Sequence, residues 1–156
     1  ERAARRLSAR CRLPRTDFVC YLPRMRDVLE SILHRFAADT GTIHRLDGGI
    51  LVLEAEIGLP PPVVAIVTRV PVGKGMAGLA AERNEPVSSC NIQVDTTGDV
   101  RPGARQTGVH GAIVVPIRDA AGAVRGTLGI GVHREYEYGE DEVARLMEEA
   151  ARIRFA

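Results

Sequence analysis

The residue types able to do chemistry are few and widely spaced. Three cysteines, Cys11, Cys20 and Cys90, form no CxxC pair and no Cys/His spacing. An odd number so spread argues against a disulfide framework and a structural zinc site, and fits a reducing compartment. The Gly73-Lys74-Gly75 turn invites comparison with a phosphate cradle. It lacks the spacing and the Lys-Ser/Thr ending of a nucleotide loop, and a need for positive φ accounts for its glycines. The third feature is Asn91 to Gly111, a polar stretch of 21 residues with little periodicity. So long an irregular segment is unusual in a compact domain unless it has a role, and it reads as the lid of a binding site.

These residues must be positioned by the elements around them. Met25, Val28, Leu29, Ile32, Leu33 and Phe36 recur at three and four residues, predicting an amphipathic helix that stops near Thr40-Gly41. TIHRL reads as a strand, Asp47-Gly48-Gly49 as a hairpin turn, and ILVLEAEI as a second strand with Leu51, Leu53, Ala55 and Ile57 on one face. Pro60 to Pro62 break that strand, PVVAIVTR predicts a short helix, and Val70 to Val72 lead into the glycine turn. Val87 to Cys90 is a third strand. Beyond the lid, AIVVPI and AVRGTLGIGV form a hairpin across Asp119 to Gly122. In its second arm Val124, Leu128, Ile130 and Val132 face one way and Arg125, Thr127, Gly129 and Gly131 the other, where the glycines leave room. Gly139 to Phe155 reads as a helix with Glu140, Asp141 and Glu142 at its positive end and Val143, Leu146, Met147, Ala150 and Ile153 on a stripe suited to the first helix or a second subunit.

A chain of 156 residues with 45% hydrophobic content and a net charge of +1 has the size of one domain with a substantial core, and no global field marks it for nucleic acid. Residues 1–26 carry eight arginines against Glu1 and Asp17, so the rest is net acidic. Residues 1–24 are therefore read as an Arg-rich extension, helical over 1–12 with Ala3, Ala4, Leu7 and Cys11 on one stripe, preceding a domain over 25–156. Lys74 is the only lysine, a bias that suggests a GC-rich bacterial genome. No apolar run approaches a membrane span and no secretory pattern opens the chain, so a cytoplasmic location is expected.

The segment Val70 to Asn91, VPVGKGMAGLAAERNEPVSSCN, resembles the core signature of the GAF domain family. There a strand ends in a hydrophobic-Pro-hydrophobic-Gly-x-Gly turn, a Gly-x-Ala-Ala helix follows, and a Glu-Pro-Val step leads into the next strand. The resemblance extends over roughly Met25 to Ile153, through Val115-Pro116-Ile117, Gly126 to Gly131, and the aromatic-then-acidic start of the last helix at Tyr138, Asp141 and Glu142. It implies an α+β, GAF/PAS-like fold: a central antiparallel β-sheet with the N- and C-terminal helices on one face and a ligand pocket with its lid loop on the other. It also implies a sensory or regulatory role, binding a small molecule and signalling through the terminal helices of a homodimer to an attached effector domain.

Three branches of the family refine these expectations. Cyclic-nucleotide-binding relatives carry an Asn-Lys-Phe-Asp-Glu set, where this chain has His133, Arg134 and Tyr138 in the first three places. Free methionine sulfoxide reductases use cysteines in the helix after the glycine turn and in the lid. Here Met76 and Ala77 occupy the first place and no cysteine follows Asn91, so a reductase is the disfavoured alternative, as covalent bilin attachment is. In the nitric-oxide-sensing branch a mononuclear iron is held near the Pro-containing strand. His110 stands six residues before Pro116, and Asp95, Asp99 and Cys90 could converge on it, although Ala112 replaces the expected cysteine. No catalytic residue and no metal ligand is assigned. The pocket expected from these comparisons is lined by Met76, Cys90, Ile92, Asp95, Arg105, His110, Ile113 and Val115, with Arg105 able to pair an anion. The other alternative is a collapsed pocket in a ligand-free dimerisation module.

Overall fold

A computed structural model describes residues 24–156. The helix expected over residues 1–12 and the cysteines Cys11 and Cys20 lie outside the described residues. Helix α1, Met25–Phe36, buries Leu29, Ile32 and Leu33 and ends where Ala37 turns left-handed at φ 49°. Strand β1, Thr40–Asp47, therefore begins at Thr40, earlier than the apolar pattern indicates. Gly48 and Gly49, both at positive φ, turn the chain into β2, Ile50–Ile57. Helix α2, Pro61–Val67, starts on a proline, whose missing N–H costs nothing at that position. Strand β3, Arg69–Pro71, runs into the glycine turn and α3, Gly75–Arg83, which is followed by β4, Val87–Ser89. The lid contains one 3-10 helix, Pro102–Thr107. Strands β5, Gly111–Arg118, and β6, Val124–Val132, form the second hairpin, and α4, Glu140–Arg152, follows.

The strands make one antiparallel sheet in the order β3-β2-β1-β6-β5-β4. One face carries the main core: Ile43, Ile113, Val115, Ile117, Leu128 and Ile130 meet Leu29, Ile32 and Leu33 of α1 and Leu146, Ala150 and Ile153 of α4. Gly41 lets α1 rest on the sheet backbone, since a Cβ there would lie 2.7 Å from Leu33 Cδ2 and 2.8 Å from Leu29 Cδ1. Arg35 and Glu149 tie the two helices together at 2.8 Å. The start of α4 is held by the Glu142 carboxylate, which accepts from the Gly139 N–H at 3.3 Å and the Tyr136 hydroxyl at 2.8 Å. The stripe on α4 thus packs on α1 and the sheet. No helix among the described residues is long and apolar enough to cross a membrane.

Strand β2 departs from simple alternation. Ile43 pairs with Ala55 but His44 pairs with Leu53, so Glu54 is the extra residue of a β-bulge. The bulge exchanges faces: Ala55 and Ile57 join the core under α1 and α4, whereas Leu51 clusters with Val70 and Ala81 on the opposite side. The single face expected for Leu51, Leu53, Ala55 and Ile57 is corrected accordingly.

Candidate functional site

On the sheet face away from α1 and α4, the residues alternating with the core are small or polar: Thr40, Thr42 and His44 on β1, Gly129 and Gly131 on β6, and Ala112 and Val114 on β5. They leave a cavity of about 390 Å³, closed at the sides by Val63, Ile66 and Val67 of α2, by Lys74 to Ala77 where α3 begins, and by the lid. The volume and mostly apolar walls suit one small organic molecule. Gly129 and Gly131 line the cavity, but the room expected on their strand face is partly taken up: a Cβ on Gly131 would stand 2.7 Å from Val109 Cγ1 of the lid and one on Gly129 3.1 Å from Thr42 Oγ1.

His44 is the buried ionisable group lining this cavity, 2% exposed, with Nε2 2.8 Å from the Val67 carbonyl oxygen. Burial pushes its pKa below the ordinary 6.5, and the bond to Val67, acting in the other direction, is the lesser effect. A neutral ring with Nε2–H donating to Val67 leaves Nδ1 as a bare acceptor, and Nδ1 has no partner among the described residues. Thr127, directly opposite His44 on β6, also has a buried hydroxyl without a partner among the described residues.

The lid is held by its own polar groups. Asn91 Oδ1 accepts from the Gln93 N–H, and the Gln93 side-chain amide donates to the carbonyls of Arg105, at 3.1 Å, and Val109, at 2.7 Å. Arg105 donates to the Asp95 carbonyl at 3.0 Å. The Asp95 carboxylate accepts from Thr97 and Ser89, bonds that hold its pKa below the ordinary value. The lid residues reaching the cavity are Ile92, Val100, Arg101 to Ala104, Thr107 and Val109.

Of the eight expected pocket residues, Met76 and Ile92 line the cavity. Ile113 and Val115 do not: strand parity puts them in the core under α1 and α4, and their neighbours Ala112 and Val114 face the cavity instead. Asp95 and Arg105 are engaged in bracing the lid. Cys90 is exposed and outside the lining. His110 fixes the lid end through its backbone, its N–H donating to Val132 and its carbonyl accepting from Ile92, both at 2.8 Å. Asp99 is spent on Arg83, at 3.1 and 3.3 Å, and no group of three His, Cys, Asp or Glu residues able to hold a metal occurs among the described residues. Sequence reading assigned no site role to Thr40, Thr42, His44 or Arg101, and Lys74 entered only within the glycine turn whose likeness to a phosphate cradle was set aside. The alternation of Thr42 and His44 around Ile43 was the available signal, but polar residues on a strand read first as a solvent face. In the glycine turn, Gly73 at φ 88° and Gly75 at φ 64° bear out the conformational account of its glycines.

A GAF-domain family model matches residues 24–156. No curated protein matches the chain. Among solved structures, the GAF domain of a phosphoenolpyruvate-protein phosphotransferase from Coxiella burnetii is 26% identical, with a TM-score of 0.68 over 81% of this chain and 75% of that one. The GAF domain region of a membrane protein described as putative from Geobacter sulfurreducens is 20% identical, with a TM-score of 0.68 over 81% and 85% of the two chains. A type II free methionine-R-sulfoxide reductase from Thermoplasma acidophilum is 21% identical, with a TM-score of 0.64 over 81% and 84%. At those identities the last two speak to the fold alone. The family model spans all the described residues, and the sheet order, the terminal helices and the glycine turn fit it: the chain belongs to the GAF domain family.

Proposed function

We propose that this domain is a small-molecule sensor whose ligand occupies the cavity between the sheet and the lid, and that occupancy is passed to attached domains through α1 and α4. The observation that carries this is the cavity itself: a sheet face of glycine, alanine and threonine left open under a lid held by its own hydrogen bonds. Strands β5 and β6 present that face to the cavity and their other face to the terminal helices, so a shift in either strand reaches both. For a ligand to act, it must bind two arrangements with different affinity, and the lid supplies contacts that only one of them makes.

The solved relative at 26% identity is the GAF domain of a phosphoenolpyruvate-protein phosphotransferase, a setting consistent with regulation. Reductase chemistry has less support, because Met76 and Ala77 stand where that branch places a cysteine and Cys90 is the one cysteine among the described residues. The test is to record native and denaturing mass spectra of freshly purified protein and again after incubation with a bacterial metabolite extract. A dimer whose excess mass is lost on denaturation supports the sensor. A protein that stays free of ligand in both states would favour the dimerisation module.

A further inference from the structure

The cavity has a polarity that narrows the class of ligand. At its mouth stand two cations, Lys74 and Arg101, both exposed. Neither side chain makes a hydrogen bond or ion pair among the described residues, although the other lid arginine, Arg105, and the α3 arginine Arg83 are both engaged. Arg101 lies across the glycine turn, its Cδ 2.9 Å from where a Cβ on Gly75 would stand. Lys74 is the residue capping α3 and gives no side-chain bond to the first turn, so the amide end of this nine-residue helix opens on the cavity through Gly75, Met76 and Ala77. Free N–H groups and a positive dipole end favour an anion there. The buried part of the cavity lining includes His44, 2% exposed and lacking a partner at Nδ1 among the described residues. That buried group can accept a hydrogen bond but does not favour a second charge.

Resting on the reading of this cavity as a ligand site, we propose that its ligand is a small organic carboxylate. Its anionic head sits at the mouth between Lys74, Arg101 and the first turn of α3, its apolar body lies against Val63, Ile92 and Val100, and any polar group at its far end is a neutral donor facing His44. Inorganic anions satisfy the mouth alone. Dicarboxylates place a second charge against buried apolar surface.

Titration calorimetry on the whole chain with 4-methylpentanoate and benzoate, beside their uncharged amides and inorganic phosphate, tests this. The carboxylates should bind about tenfold or more tighter than the amides, as charge-assisted bonds exceed neutral ones. That advantage should shrink in Lys74→Gln and Arg101→Gln, which alter exposed side chains and leave the fold intact, and should weaken as salt is raised. Amides binding as tightly as carboxylates would overturn the charge assignment while leaving the cavity a ligand site. Phosphate binding as tightly as the carboxylates would overturn the role of the apolar body. If neither carboxylates nor amides bind, the carboxylate assignment is overturned, while retained mass in the native spectra would still show the cavity to be a ligand site.

Discussion

His44 on the central strand and Val67 at the end of α2 are joined at 2.8 Å, so the floor of the cavity and one wall are linked through a single neutral imidazole. The unfolded ring titrates near 6.5 and the folded ring lower, so acid favours the unfolded state, which takes up the proton first. The stability contributed by the neutral ring is full above about 6.5 and falls as pH drops toward the folded pKa. Urea midpoints of the wild type should decline between pH 7 and 5, and His44→Gln, which keeps a donor toward Val67, should flatten that decline. Parallel curves for the two proteins would remove His44 as the titrating group.

A second pair joins α3 to the β5–β6 hairpin. Arg118 Nε donates to Asn84 Oδ1 at 2.6 Å, Arg118 also donates to the Asn84 carbonyl, and Asn84 itself is left-handed at φ 54°. Asn84→Gly keeps the conformation but loses the charged hydrogen bond from Arg118 and the exposed bond that the Asn84 amide donates to the Gly122 carbonyl, a cost dominated by the first at about 1.5–3 kcal/mol. Asn84→Ala adds a left-handed penalty of about 1–2 kcal/mol. Chemical denaturation should rank them in that order, and equal stabilities would show that the backbone conformation at this position is immaterial.

Tyr138 has a buried hydroxyl with no hydrogen-bond partner among the described residues, and burial pushes its pKa up to about 12. Removing an unsatisfied polar group relieves its desolvation cost, so Tyr138→Phe should leave the melting temperature unchanged or raise it. A fall equivalent to more than about 1 kcal/mol would reveal a partner for that hydroxyl.

Adjacent residues on β5 should separate stability from binding. Ile113 is 1% exposed in the core beneath α1 and α4. Ile113→Ala should cost about 2–5 kcal/mol while the folded fraction keeps its ligand affinity. A loss of affinity without a loss of stability would instead place Ile113 at the site.

The architecture was legible because helix period, turn glycines and the VPVGKG signature agree: α1, the β1–β2 turn and α4 stand where Met25 to Phe36, Gly48-Gly49 and Glu140 to Glu142 indicated. Side-chain direction in the strands was less legible. AIVVPI is apolar at every position, so parity alone could not tell Ile113 from Ala112, and the bulge at Glu54 reverses the face of β2 midway. In the lid, Asp95, Arg105 and His110 carry the functional groups that attract attention in a sequence, but an irregular segment must satisfy its own backbone, and Asp95 and Arg105 do so here by side chain and His110 by main chain.

The central claim is that the space under the lid binds a ligand, and Thr42→Trp tests it most directly. Thr42 is a half-buried strand residue facing the cavity, so a tryptophan there fills the site from the sheet side. Calorimetry of wild type and Thr42→Trp against the tightest ligand should show binding abolished in the variant, while an unchanged urea midpoint confirms that the fold is intact. Undiminished affinity in a folded Thr42→Trp protein would contradict the account and move the binding site elsewhere.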